Sequence, residues 1–471
     1  MSAKLRLHYD RLFPAEASTR EIARALYESV EKLPIISPHG HTDPSWFADN
    51  QPFADPAELL IVPDHYVFRM LYSQGSPLES LGIGTDPGKR SEEQSRRIWQ
   101  LFAEHYHLFL ATPSRIWLDY VFEKVFGMSE VLNAETATGY YDQIADCLRR
   151  DNFRPRALFD RFNIEVLATT ESPLDALARH DAIAGSDWPG RVITTYRPDP
   201  VVDPDFEGFS ANVERLGELT GQDTSRWPGY LQAHRDRRDY FIQRGATATD
   251  HGHPTAQTAD LSSQQCQVLL DKALTGRISA DEAEQFRAQM LCEMAAMSLE
   301  DGLVMQLHPG SFRNHNRDVF AGFGRDKGAD IPVRTEYVRA LKPLLDKFGN
   351  RADFTLILFT LDESTYSREL APLAGHYPCL KLGPAWWFHD SPEGMRRFRE
   401  MTTETAGFYN TVGFNDDTRA FMSIPARHDV ARRMDAAYLA RLVAEHQLGE
   451  SDAFELIRTL SYDLVKAAYK L

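Results

Sequence analysis

A chain of 471 residues with 43% hydrophobic and 25% charged side chains has ordinary globular composition, which excludes disorder as its dominant state. Lys and Arg number 52 against 68 Asp and Glu, a formal charge of −16 that disfavours general nucleic-acid binding and leaves any anionic ligand to local arginines. No apolar run approaches the ~18 residues of a membrane span, and the opening MSAKLRLHYDRLF has no signal-peptide core, so a cytoplasmic protein without membrane or nucleic-acid partners is expected. Its cysteines, Cys147, Cys266, Cys292 and Cys379, are too scattered for a zinc-type pair and read as reduced, mostly buried thiols.

In chain order, the pattern first predicts a helix over 19–32, with Ser18 and Glu21 as a capping box and Ile22, Ala25, Leu26 and Val30 on one face. A short buried strand follows at 33–37. Seven further runs have strand character, at 164–169, 192–196, 246–249, 303–308, 354–360, 379–382 and 411–414. The fourth is the weakest, because its Ala and Thr also suit a loop. Amphipathic helices lie between most of them, among them 335–348, ended by Gly349 as a C-cap, 393–405 and 429–446. Eight strands alternating with helices predict an α/β fold, a (β/α)8 TIM-like barrel spanning 1–471 as one domain, in preference to an open doubly wound sheet. The long, mostly helical stretch between the first two strands, as at 91–105 and 138–150, predicts an insertion over approximately 44–160 that covers the active-site end.

The sharpest motif is Pro38-His39-Gly40-His41 at the end of the first strand. Residues i and i+2 point to one side, so both imidazoles can reach one metal ion. In a closed barrel the eighth strand neighbours the first, which brings Asp416 or Asp417 of Asn415-Asp416-Asp417-Thr418-Arg419 within reach as a third ligand. His308 ends the fifth strand and points into the same mouth. The Gly- and Arg-rich run after it, to about Ile331, has the length of a lid. Arg197 closes the third strand, and with Arg313 and Arg419 it predicts a cationic mouth suited to a carboxylate, with at least one of the three in a structural ion pair. Asp64-His65-Tyr66 in the insertion offers proton transfer or carbonyl polarisation. Trp386-Trp387-Phe388 offers an aromatic wall against a sugar ring or the lid, with core packing equally expected.

Taken together, HGH at 39–41, DHY at 64–66, YRP at 196–198, HPGSFRNHN at 308–316, GPAWWFHD at 383–390 and NDDTR at 415–419 resemble bacterial uronate isomerase, a family of the amidohydrolase superfamily of metal-binding barrels. The resemblance runs in order from about Leu33 to the C-terminus. It implies interconversion of D-glucuronate with D-fructuronate and of D-galacturonate with D-tagaturonate. It also implies His39, His41 and Asp417 as metal ligands and Arg197 on the substrate carboxylate. His65, Tyr66 and Arg419 would surround the reacting C1–C2 end, and His308 with Arg313 would complete the pocket. The fourth strand carries no Lys and the sixth no His, so the two-metal hydrolase set is incomplete and one divalent ion is expected, with no nucleotide cofactor. Two His and one carboxylate suit zinc first, with Mn²⁺, Fe²⁺ or Co²⁺ also compatible.

The expected chemistry is proton transfer through a cis-enediolate, with Asp417 as base and Arg419, Tyr66 and His65 around the developing anion. A one-metal hydrolase or deaminase of the same superfamily, releasing ammonia or an acid, fits the same ligands. A non-catalytic sugar-acid binder is the remaining alternative, and the intact HxH, Asp417 and Arg419 argue against it. A homo-oligomer is expected from barrels of this size.

Overall fold

The structure is a computed structural model that describes residues 3–471. Its centre is a seven-stranded parallel sheet formed by β1 (Ile35–Ser37), β2 (Ile164–Glu171), β3 (Arg191–Tyr196), β4 (Ala248–His251), β5 (Val304–Leu307), β8 (Leu356–Leu358) and β9 (Leu380–Leu382), paired in that order. A separate two-stranded hairpin, β6 (Ser311–Phe312) with β7 (Ile331–Pro332), stands between β5 and β8 in the chain. Period-two patterning makes the barrel. Ile36, Val166, Ala168, Ile193, Ala248, Val304 and Ile357 fill one cluster inside it. Their neighbours Leu167 and Val192, and Met305, Leu307, Leu356 and Leu358, face the helices outside.

The eighth strand expected at 411–414 is reduced to one parallel bridge, Thr411 to Leu382. Gly413 is the reason. Its φ of +74° is left-handed, and a Cβ there would stand 2.5 Å from Val465 Cγ2 and 2.6 Å from the Leu460 carbonyl, so the chain bends out of the extended form against the C-terminal helices. The barrel still closes, because the His41 N–H donates to the Thr418 carbonyl at 3.0 Å.

Three local expectations change. The first helix, Ala17–Val30, is capped by the Glu16 carboxylate, which accepts from the Ser18 and Thr19 N–H groups; Ser18 and Glu21 form no box. The 335–348 helix shrinks to Lys342–Phe348, because Pro343 cannot donate to residue 339 and the ladder starts beside it; Gly349 stays right-handed at φ −57°. The fourth strand forms, but two residues late, so that Asp250 and His251 belong to it. Between β1 and β2 the chain builds helices from Pro44–Asp49 to Pro155–Arg161 around a buried cluster that includes Trp99, Phe102, Tyr106, Phe109 and Phe122. All four cysteines are free and buried. Among the described residues no helix is long and apolar enough to cross a membrane.

The outer helices Pro392–Ala406 and Ile424–Ala444 are joined by a buried bidentate pair, Arg399 to Asp435 at 2.7 and 2.9 Å. Removing one partner leaves a buried charge unmatched. Arg399→Ala is expected to lower stability by about 3–5 kcal/mol, read as an earlier midpoint in urea unfolding.

Candidate functional site

The site lies at the C-terminal ends of the strands. His39, almost fully buried, and His41, partly open to solvent, leave β1 with ring centroids 5.3 Å apart. Asp417 completes the group: its Oδ1 lies 3.5 Å from His39 Nε2 and 3.2 Å from His41 Nε2. All three candidate donor atoms fall within 4.8 Å of one another. Asp417 holds a left-handed backbone, φ +36°, a costly conformation for a residue with a Cβ and one that active sites tend to keep. Its second oxygen accepts from Trp386 Nε1 at 2.5 Å, so Trp386 orients the carboxylate as well as lining the pocket. The neighbouring Asp416 turns away and pairs with His428 at 3.0 Å, which settles which of the two acids faces the histidines. Burial pushes the Asp417 carboxyl upward, but His39, His41 and His308 outweigh it and hold the group well below the usual carboxylate range. Burial keeps His39 neutral, with its pKa lowered to about 4 despite the nearby Asp417 and Asp250.

A second acidic residue, absent from the sequence-based set, stands beside this group. Asp250 at the end of β4 hydrogen-bonds His308 Nδ1 through Oδ1 at 2.7 Å; its Oδ2 makes an ion pair with Arg197 Nη1 at 3.1 Å, without a hydrogen bond, and lies 4.0 Å from His39 Nε2. His39, Asp250 and His308 thus form a second candidate ligand set that shares His39 with the first. The His308 ring stacks on His39 at 5.0 Å and on Phe359 at 3.9 Å. His39 Nδ1 and His308 Nε2 are buried with no hydrogen-bond partner. An ionised Asp417 set against the neutral imidazole of His39 and against His41 Nε2 is a donor set that fits one divalent cation held by these three residues. The signal for Asp250 was its place in Asp250-His251-Gly252-His253, a polar run closing a strand just as HGH closes the first.

The arginines converge as expected, and all three are ion-paired. Arg197 Nε binds Asp199 at 2.8 Å, Arg313 Nη1 binds Asp330 at 2.9 Å, and Arg419 Nη2 lies 3.2 Å from Asp326. Gly252 makes room for two of them. A Cβ there would sit 2.5 Å from Arg197 Nη2 and 3.3 Å from Arg313 Nη2, so these two cationic groups meet over a bare backbone floor. The expected lid is ordered: β6 and β7 form its stem, the helix Arg317–Phe323 its tip, and Asp330 ties the two sides by accepting from Arg313 and from the Asn314 N–H at 2.7 Å.

The insertion supplies His65 and Tyr66. The helix His65–Tyr72 starts at Asp64, whose carboxylate caps the Tyr66 N–H at 2.8 Å. The two rings stack at 4.8 Å, and Arg427 lies 5.6 Å from the Tyr66 centroid while resting 3.6 Å from that of Trp117. Burial, with Arg419 next in weight, lowers His65 to about 3 and keeps it neutral. One cavity is lined by His39, His65, Tyr66, Arg197, Arg419 and Asp417, and also by His41, His308, Arg313 and Trp386, so every sequence-predicted site residue borders it.

The chain is similar to known proteins over nearly its whole length. The family model described as glucuronate isomerase matches residues 15–469. A uronate isomerase of Phenylobacterium zucineum is 66% identical over 471 residues, covering 100% of this chain and 98% of its own. The crystal structure of glucuronate isomerase from Caulobacter crescentus superposes with a TM-score of 0.96 at 61% identity, covering 99% of this chain and 97% of that one. That of uronate isomerase from Thermotoga maritima gives 0.91 at 27% identity, covering 98% and 99%. With the family pattern running through nearly the whole chain and the same barrel beneath it, this chain belongs to the glucuronate isomerase family.

Proposed function

We propose that the protein is a uronate isomerase, interconverting D-glucuronate with D-fructuronate and D-galacturonate with D-tagaturonate by proton transfer between C2 and C1. One observation carries the reading: the carboxylate of Asp417, set between two histidines, faces a cavity in which Arg197 and Arg313 converge over Gly252. A sugar acid has the same two ends, a carboxylate at C6 and a carbonyl at C1.

In this reading Arg197 and Arg313 hold the carboxylate and so fix the register of the carbon chain against the reacting groups. Asp417 takes the proton from C2 and returns it at C1. Any carboxylate is a weak base toward a C–H bond, so the C–H it attacks must first be acidified. Arg419 and the Tyr66 hydroxyl donate to the oxygens on which negative charge builds as the cis-enediolate forms, and neutral His65 supports them. A divalent ion held by His39, His41 and Asp417 would supply Lewis acidity toward the substrate's oxygens, with zinc the ion that best suits the donors. Asp250 keeps His308 and Arg197 in place through its two oxygens. The insertion over approximately 44–160 and the barrel act as one unit, since the insertion contributes His65 and Tyr66.

The direct test follows ketouronate formation by NMR with purified protein and each uronate, with and without a chelator. Turnover that falls on chelation is expected; ammonia or acid release from other substrates, with no action on uronates, would move the assignment to a one-metal hydrolase. Asp417→Asn is expected to lower kcat by roughly 10²–10⁴-fold in a protein of unchanged circular dichroism. Gly252→Ala should raise KM for uronate about tenfold with a smaller effect on kcat, because displaced arginines weaken ground-state and transition-state binding alike.

A further inference from the structure

Behind the cavity stands a cation that does not border it. Arg427, 1% exposed, lies in the first turn of the helix Ile424–Ala444. Its guanidinium meets several parts of the chain at once. Nε donates to Ser423 Oγ at 3.1 Å, and Nη1 donates to Asp390 Oδ2 and, at 3.4 Å, to the Asp416 carbonyl. The same group lies over two rings of the insertion, 3.6 Å from the Trp117 centroid and 5.6 Å from that of Tyr66. Each contact adjoins a residue of the site. Asp390 ends the run that holds Trp386, Asp416 precedes Asp417, and Trp117 packs edge-on against Tyr66 at 5.9 Å.

Stability does not account for this arrangement. Arg399 serves both oxygens of Asp435, whereas Asp390 offers Arg427 one oxygen and keeps the other buried with no partner. A buried ion pair with a bare oxygen regains little of its desolvation cost. What the pair does secure is geometry. Among the described residues the Tyr66 hydroxyl has no hydrogen-bond partner, so ring contacts decide where it points: His65 stacked on it, Trp117 at its edge and Arg427 beside both. We propose that Arg427 is a positioning residue: by joining Trp117 to the Asp390 and Asp416 segments of the barrel, it fixes the place of the Tyr66 hydroxyl relative to Asp417. This rests on the roles given to those two residues under the proposed function. A donor that acts on charge developing in the transition state must be placed to within a fraction of an ångström, so its displacement lowers kcat more than it raises KM. Lysine would keep the charge of Arg427, but an ammonium group has no plane to rest on Trp117 while it reaches Asp390 and the Asp416 carbonyl.

The test measures uronate isomerisation by the metal-loaded full chain in two backgrounds, wild type and Tyr66→Phe, with circular dichroism and the urea midpoint establishing that each variant is folded. In the wild-type background Arg427→Lys is expected to lower kcat at least tenfold with KM changed by less than threefold. In Tyr66→Phe, where the hydroxyl to be placed is gone, the same substitution should lower kcat by less than threefold. Trp117→Phe keeps an aromatic ring but narrows the surface under the guanidinium. It should lower kcat three- to tenfold in the wild-type background and leave it unchanged in Tyr66→Phe, and it carries the test by itself if Arg427→Lys does not fold. An equal loss in both backgrounds, or full kcat in a folded Arg427→Lys or Trp117→Phe protein, would overturn the proposal and leave the role of Tyr66 standing. Wild-type kcat in Tyr66→Phe itself would overturn that role, and the proposal with it.

Discussion

Everything at the mouth depends on Asp417 being brought between His39 and His41 by closure of the barrel. The two ends of the sheet are far apart in sequence, and the last strand is too short to zip against the first. Closure comes from the His41 N–H on the Thr418 carbonyl and from the bend at Gly413 that seats the final segment on the C-terminal helices. The strained backbone of Asp417 is then held by contacts from two other directions, the indole of Trp386 on its side chain and Arg427 against the Asp416 carbonyl at 3.4 Å. Such a conformation persists only where its surroundings over-determine it.

Asp250 carries that order across the cavity. One of its oxygens hydrogen-bonds His308, whose ring stacks on His39; the other lies in an ion pair with Arg197, whose Nη2 meets Arg313 over Gly252. The histidine group and the arginine group are thus fixed to each other through one buried carboxylate. Desolvation opposes the charge of this buried acid, but the Arg197 guanidinium and the hydrogen bond from His308 outweigh it and keep the carboxyl ionised. In a protein with a formal charge of −16 the arginines could not otherwise form a defined anion seat, since each would be drawn to whichever acid lay nearest.

Much of this was legible in the sequence wherever a period or a short spacing carried the information. Short β-type runs marked all eight strand positions, of which seven form strands, and HxH at a strand end marked two of the three clustered candidate ligands and, through barrel closure, the region of the third. Spacing left Asp416 and Asp417 open and the family resemblance pointed to Asp417; in the structure the left-handed turn at Asp417 sets that carboxylate against the histidines, while Asp416 pairs with His428. Asp250 was overlooked because its strand is offset by two residues from the apolar run that announced it. The partners of the arginines were invisible for a different reason. Asp199 is local, but Asp326 and Asp330 reach the cavity only through the fold of the lid, and no periodicity encodes a contact between Asp326 and Arg419. The shortened helix before Phe348 shows the usual limit of apolar spacing, since Pro343 overrides it.

The division of labour between barrel and insertion follows from charge. The barrel contributes the groups that must be ionised: the carboxylates of Asp417 and Asp250 and the guanidinium groups of Arg197 and Arg419. The insertion contributes His65 and Tyr66, and both are kept uncharged. Burial drives the Tyr66 hydroxyl well above its ordinary pKa even though Arg427 lies under the ring, and it drives His65 down to about 3. Over the neutral range Tyr66 therefore keeps its proton as a hydrogen-bond donor and His65 carries no positive charge. Under the assignment of Asp417 as base, this matters to the energetics. A second cation beside Arg419 would bind the substrate's anion nonspecifically and draw its carboxylate to the wrong end, whereas a neutral donor gains strength only as charge develops on the oxygen it faces. Stabilisation of that kind lowers the barrier without deepening the ground state.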